Sequence, residues 1–202
     1  MKVSEAQLLI CNAGKRLIAD GIARGPWGSI SFRIDHSTMA ITPSSMSYEN
    51  ITTEQIICAE FDKAESTMDN HTKDTIEFKL HTVIYHVRSD IKVIIHSNST
   101  TIPSLILVDG ELSRIPKDII PIIGPNIRVA YYPRYSVKMM IEKTIHALKD
   151  RNAVFMAHHG TLILGKNMTE ALSCTYLIEK VLRDIFGVQR NFGKFLDFFK
   201  VY

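Results

Sequence analysis

Residues 74–98 read DTIEFKLHTVIYHVRSDIKVIIHSN, and a change of period within them decides the fold class. Over 74–87 the apolar side chains Ile76, Leu80, Val83, Ile84 and Val87 recur at helical spacing, which predicts a helix with that stripe buried. Asp74 is its expected N-cap, with Glu77 as the N3 partner of a capping box. After Arg88-Ser89-Asp90 the run 92–97 is β-branched and predicts a strand. A helix that passes so quickly into an apolar strand belongs to an α/β layer.

The flanks continue the alternation. Ser4 and Gln7 form an expected capping box for a helix over 4–23, closed by Gly25-Pro26. Strands are expected over 28–34, 38–42 and 55–61. On the C-terminal side, 118–123 reads as a short apolar strand interrupted by Pro121, and 127–132 as another strand. Ser136 caps a helix whose Val137, Met140, Ile141, Thr144, Ile145 and Leu148 face inward. Strands over 153–158 and 161–164 meet at His159-Gly160. In the last helix Asn167 and Glu170 cap reciprocally, and Ala171, Cys174, Ile178, Val181 and Ile185 make the core face. This order predicts a sheet covered by helices on both faces, in one domain over 1–202.

Composition narrows the class. Apolar residues make up 46% of the chain and charged residues 22%, the balance of a chain that folds. The net charge of +3 is spread along the sequence, so nucleic acid is not an expected partner. No run nears the roughly 20 apolar residues that span a bilayer, and the N-terminal pattern is not that of a signal peptide. Cys11, Cys58 and Cys174 lie apart in apolar surroundings, which fits reduced thiols and a cytoplasmic location.

Three places present chemistry. Residues two apart on a strand face the same way, so His96 and Asn98 address one point, and His159 is presented at a strand junction. A cation needs such convergence from rigid elements. Taken singly, each histidine also fits a hydrogen-bonded core position, and Glu77 fits a capping box.

Jointly, the blocks resemble the class II aldolase/adducin family over roughly residues 5–187. Gly28-Ser29-Ile30-Ser31-Phe32-Arg33 is similar to its Gly-Asn-Val-Ser-x-Arg, and Ile41-Thr42-Pro43-Ser44-Ser45 to its Ile-Thr-Pro-Ser/Thr-Gly turn. Glu77 with His81 resembles its Glu-x-x-x-His, His96-Ser97-Asn98 its His-x-His, and His159-Gly160 its His-Gly. The resemblance implies a three-layer α/β/α fold with a mostly antiparallel central sheet. It implies a metal-dependent aldolase-type lyase or epimerase of carbohydrate metabolism, passing through a metal-stabilised enediolate of a small sugar or sugar-phosphate-like carbonyl compound. Glu77 would be the acid/base and His96, Asn98 and His159 the metal ligands. Gly28, Ser29, Ser31, Ser44, Ser45 and Thr75 would hold phosphate or substrate.

The departures fall inside that set. Zinc is the first expectation from the resemblance, and because Asn98 stands for a histidine, Mn²⁺ or Mg²⁺, which take oxygen ligands readily, is the alternative. A nitrogen from His158 or His81 in place of the missing one is the other alternative, and the sequence leaves the two open. Ser29 stands for asparagine, Ser45 for glycine, and Thr75-Ile76 for Ser-Ser. Two readings stay open: a divergent metal-dependent lyase, and an inactive adducin-like member serving protein contacts. The resemblance further implies a homotetramer. The aromatic tail with Phe192, Phe195, Phe198, Phe199 and Tyr202 is expected to pack on or near a neighbouring subunit.

Overall fold

The structure is a computed structural model that describes residues 1–23, 25–26, 28–61, 75–97, 111–112, 115–117, 120–133, 136–157 and 159–186. The aromatic tail lies outside the described residues. In chain order the elements are α1 (Val3–Ala19), β1 (Gly28–Arg33), β2 (Thr38–Ile41), β3 (Ile57–Glu60), α2 (Ile76–Val87), β4 (Val93–Ser97), β5 (Glu111–Leu112), α3 (Ile120–Ile123), β6 (Ile127–Ala130), α4 (Val137–Ala147), β7 (Ala153–Met156), β8 (Gly160–Gly165) and α5 (Met168–Phe186).

The strands form one eight-stranded sheet in the order β3-β2-β1-β4-β8-β7-β6-β5. Every pairing is antiparallel except β6 with β7. Helices α1 and α5 pack on one face, α2 and α4 on the other, as the three-layer expectation requires. Strand alternation supplies both layers. On β4, Val93 and Ile95 join the α1/α5 core, while Ile94 turns to the α2/α4 core. Ile94 and Ile95 are both fully buried, and each contributes roughly 1.5–3 kcal/mol by leaving water. His96 therefore stands on the α2/α4 side by the same alternation that buries Ile94.

Several local expectations are corrected. Helix α1 stops at Ala19, well before Gly25-Pro26. Gly21, at φ 69°, enters the left-handed region, and the amides of Gly21 and Ile22 return to the carbonyls of Ile18 and Leu17. This is the Schellman closure that glycine makes cheaply. Lys2, not Ser4, is the N-cap of α1, and it makes no side-chain cap. Residues 120–123 form one helical turn rather than a strand. Pro121 suits a first turn, where its missing N–H is not needed, and Gly124 N–H closes the turn onto Ile120.

The buried stripe of α2 is also rotated. Phe78, Leu80, His81, Ile84 and Tyr85 are inside, whereas Ile76 and Val87 are 38% and 55% exposed. The helix begins one residue later than expected. Thr75 is its N-cap and accepts from Phe78 N–H, so Glu77 is at N2 and its carboxylate is released from capping to face the sheet. Asp74 lies outside the described residues. At α5, Asn167 accepts from Glu170 N–H as expected, but the Glu170 carboxylate reaches Lys166 N–H instead of Asn167.

Candidate active site

Strand β1 and helix α2 run side by side with matched periods. Two residues of strand advance about 6.8 Å and four residues of helix about 6.0 Å, so Ser29, Ser31 and Arg33 meet Glu77, His81, Tyr85 and Arg88 in succession. Ser29 Oγ donates to Glu77 Oε2 at 2.6 Å and lies 3.0 Å from His81 Nε2. Ser31 Oγ is 2.8 Å from both His81 Nδ1 and the Tyr85 hydroxyl. Arg33 donates to the carbonyls of Tyr85 and Arg88, and its guanidinium lies 4.6 Å from the Tyr85 ring centroid. A cation at the last turn of a helix meets unpaired carbonyls there, so Arg33 fastens the far end of α2.

Strand β4 closes the site. His96 is the register partner of Ser29, and its Nδ1 is 2.9 Å and 3.0 Å from the two Glu77 oxygens. Its Nε2 is 2.7 Å from the backbone carbonyl of His159. Both ring nitrogens thus face acceptors, an arrangement that favours the imidazolium. Burial opposes that charge, but the Glu77 carboxylate and the His159 carbonyl outweigh it and raise the His96 pKa. Burial likewise opposes the Glu77 charge, yet His96, together with His81 and Ser29, holds the carboxyl well below its usual range. Both shifts describe one tight ion pair. His81 is fully buried, and burial lowers its pKa to about 4 against the pull of Glu77.

Gly28 makes this closeness feasible. At φ +111° it occupies backbone space forbidden to other residues, and a Cβ there would come within 2.4 Å of the His96 carbonyl oxygen. The 41–45 turn is built under strain: Ser45 takes φ 60°, the left-handed region that suits glycine. Ser44 and Ser45 are exposed, and Gly28 and Thr75 are half-buried. Ser29 and Ser31 are buried, and their hydroxyls point into the network beneath Glu77.

Glu77 and His96 therefore meet as side chains, while His159 joins them through its carbonyl. The His159 ring turns to Tyr132, whose hydroxyl is 2.8 Å from Nδ1. Burial, reinforced by the Glu77 charge, raises the Tyr132 pKa and keeps the phenol protonated. Asn98 and His158 lie outside the described residues. His81 is no substitute ligand, since both its nitrogens are engaged by serines. Among the described residues no group of three His, Cys, Asp or Glu side chains is arranged to hold a cation. The described donors, as they stand, do not fit a metal: a ligating nitrogen must offer a lone pair, and His96 directs both nitrogens at oxygens.

Tyr85 and Tyr132 were not marked out by sequence. Tyr85 had a signal, because Glu77, His81 and Tyr85 recur at intervals of four on one helix face. Tyr132 had none, since it meets His159 only through the sheet.

Residues 8–185 match the family described as Class II Aldolase and Adducin N-terminal domain. The chain belongs to this family. The 5-deoxy-D-ribulose 1-phosphate aldolase of Bacillus thuringiensis serovar kurstaki is 28% identical over 167 residues, 82% of this chain and 77% of that protein. The 3-oxo-tetronate 4-phosphate decarboxylase of Haemophilus influenzae is 23% identical over 186 residues, covering 90% of this chain and 87% of its own length. A solved structure of L-fuculose 1-phosphate aldolase matches with a TM-score of 0.79 and 27% identity, over 96% of this chain and 90% of that one. The class II aldolase fold is thus shared with the solved aldolase, and the sequence relatives are named for different reactions, an aldolase and a decarboxylase. No helix among the described residues is long and apolar enough to cross a membrane.

Proposed function

We propose that this class II aldolase family member is an aldolase-type lyase acting on a small sugar or sugar-phosphate-like carbonyl compound, with Glu77 as the proton carrier at the carbon next to the carbonyl. One observation carries the reading: the Glu77 carboxylate sits at the junction of β1, β4 and α2, with Oε2 bonded to Ser29 and His96 and, among the described residues, Oε1 bonded to His96 alone. Oε1 thus retains a lone pair for a proton, and the side chain is 25% exposed. The phosphorylated substrates named for the relatives support an anionic ligand. Backbone amides at Gly28 and the 44–45 turn, with Thr75 at the N-terminus of α2, are the groups suited to receive it.

No step here runs through a cation, because the described donors do not fit one. Metal binding by His96, Asn98 and His159 belongs to a second arrangement, in which His96 Nε2 leaves the His159 carbonyl. Elemental analysis of protein prepared without chelator and incubated with Zn²⁺ and Mn²⁺ tests that arrangement, and Asn98→His should raise Zn²⁺ affinity if Asn98 faces the site. Assembly as a tetramer is part of the same proposal, and light scattering reads it directly.

The test of the lyase reading is aldehyde release from a panel of phosphorylated and unphosphorylated ketoses, with and without divalent metal. Turnover that disappears in Glu77→Gln supports it. A folded protein that cleaves none of them in either condition overturns it and leaves the non-catalytic, adducin-like reading. One observation favours that second reading: a carboxylate locked to an imidazolium is a weak base, so the pair must open before Glu77 can accept a proton.

A further inference from the structure

Counting protons along the β1/α2 contact fixes the direction of each hydrogen bond. Glu77 is a carboxylate and can only accept, so the single Ser29 hydroxyl proton goes to Oε2 at 2.6 Å. Ser29 Oγ must then be the acceptor in its 3.0 Å contact with His81, which requires a proton on Nε2. His81 is fully buried, where burial disfavours the charged ring, so Nδ1 carries no proton. It accepts from Ser31 Oγ at 2.8 Å, and Ser31 in turn accepts from the Tyr85 hydroxyl at 2.8 Å.

The opposite direction starts from the other acceptor available to Tyr85, the Lys92 carbonyl at 3.1 Å, which already receives Arg33 N–H at 2.7 Å. Tyr85 would then donate to Lys92, Ser31 to Tyr85, and His81 Nδ1 to Ser31. That leaves a bare Nε2 facing a bare Ser29 oxygen at 3.0 Å, lone pair against lone pair between two buried side chains. The ionised carboxylate at one end therefore selects the order of the whole chain.

We propose that Tyr85, Ser31, His81 and Ser29 are positioning residues for Glu77, forming a one-way donor chain that holds His81 as its Nε2–H tautomer, keeps Oε2 occupied and leaves Oε1 to exchange protons with substrate. The last clause rests on Glu77 being the proton carrier; the tautomer does not. Four side chains spread over about two helical turns are committed to one oxygen of one carboxylate, and a plain packing role would require no fixed tautomer.

Long-range proton–nitrogen correlation of the histidine rings in ¹⁵N-labelled protein at pH 7 reads this directly, with the His81 signal assigned by its loss in His81→Gln. The expected result is a protonated Nε2 and an unprotonated Nδ1. In Ser29→Ala the bridging hydroxyl is lost and the Glu77 carboxylate, 3.8 Å from Nε2, stands beyond hydrogen-bond distance, so the proton should move to Nδ1, with the chain reversing toward Lys92. Ser31→Ala keeps Ser29 and should keep the Nε2–H form. A proton on Nδ1, or on both nitrogens, in the unaltered protein overturns the proposal, as does an unchanged tautomer in folded Ser29→Ala. None of these readouts needs turnover, so an inactive protein with the expected tautomers would count against the lyase reading alone.

Discussion

Ser29 and His96 are register partners on adjacent strands, and both side chains end on the carboxylate of Glu77. The sheet thus delivers a hydroxyl and an imidazole to the same carboxylate from neighbouring backbones, while α2 brings the carboxylate down from above. If Glu77 carries the proton, Glu77→Gln keeps the volume and removes the base. Its kcat should fall by about 10²–10⁴-fold with an unchanged circular dichroism spectrum.

Gly28 tests how tightly that junction is drawn. In Gly28→Ala the new methyl meets the His96 carbonyl oxygen, and the backbone angle is one that alanine does not tolerate. The β1–β4 register beside the site has to open, at a cost of about 3 kcal/mol. Urea unfolding should show the loss as a lower midpoint at unchanged slope.

Ser45 gives the opposite sign. Its side chain is exposed and its φ is 60°, so Ser45→Gly removes left-handed strain while losing no buried contact. After the entropy that glycine adds to the unfolded chain, the gain should be roughly 0.5–1 kcal/mol. Calorimetry should record it as a rise of a few degrees in Tm.

His81 makes stability depend on pH. Its folded pKa of about 4 lies below the ordinary value, so the unfolded chain binds the proton more readily, and stability falls as pH drops from about 6.5 toward 4. Above that window the contribution is complete. His96, whose pKa is raised, acts in the other direction: its contribution is already constant below 6.5 and is lost as pH rises through its folded value. Between pH 6.5 and 4.5 the slope should approach on the order of 1 kcal/mol per pH unit, and His81→Gln should flatten it. Denaturation midpoints across that window measure both.

Much of this was legible from periodicity. The strands at 28–33, 38–41, 93–97 and 160–165 and the helices opening at Ser136 and Asn167 follow from alternation and capping residues, because those signals are local. The α2 stripe misled because hydrophobicity alone ranked Ile76 and Val87 above His81 and Tyr85. The polar pair is inside because β1 supplies serines at matching intervals, and no window on α2 contains that information. The Glu77–His96 contact followed from the family pattern of the blocks, whereas the turning of the His159 ring toward Tyr132 depended on where β6 and β8 lie relative to each other.

The alternation along β4 also limits how this protein can change. Ile95 and His96 are neighbours that serve opposite cores, so deleting or inserting one residue between Ile91 and His96 would exchange their places. The imidazole would then enter an oily layer and an isoleucine would confront the carboxylate. Substitution can explore new chemistry at this strand, but any change of length must come in even steps, which makes parity, more than composition, the inherited constraint.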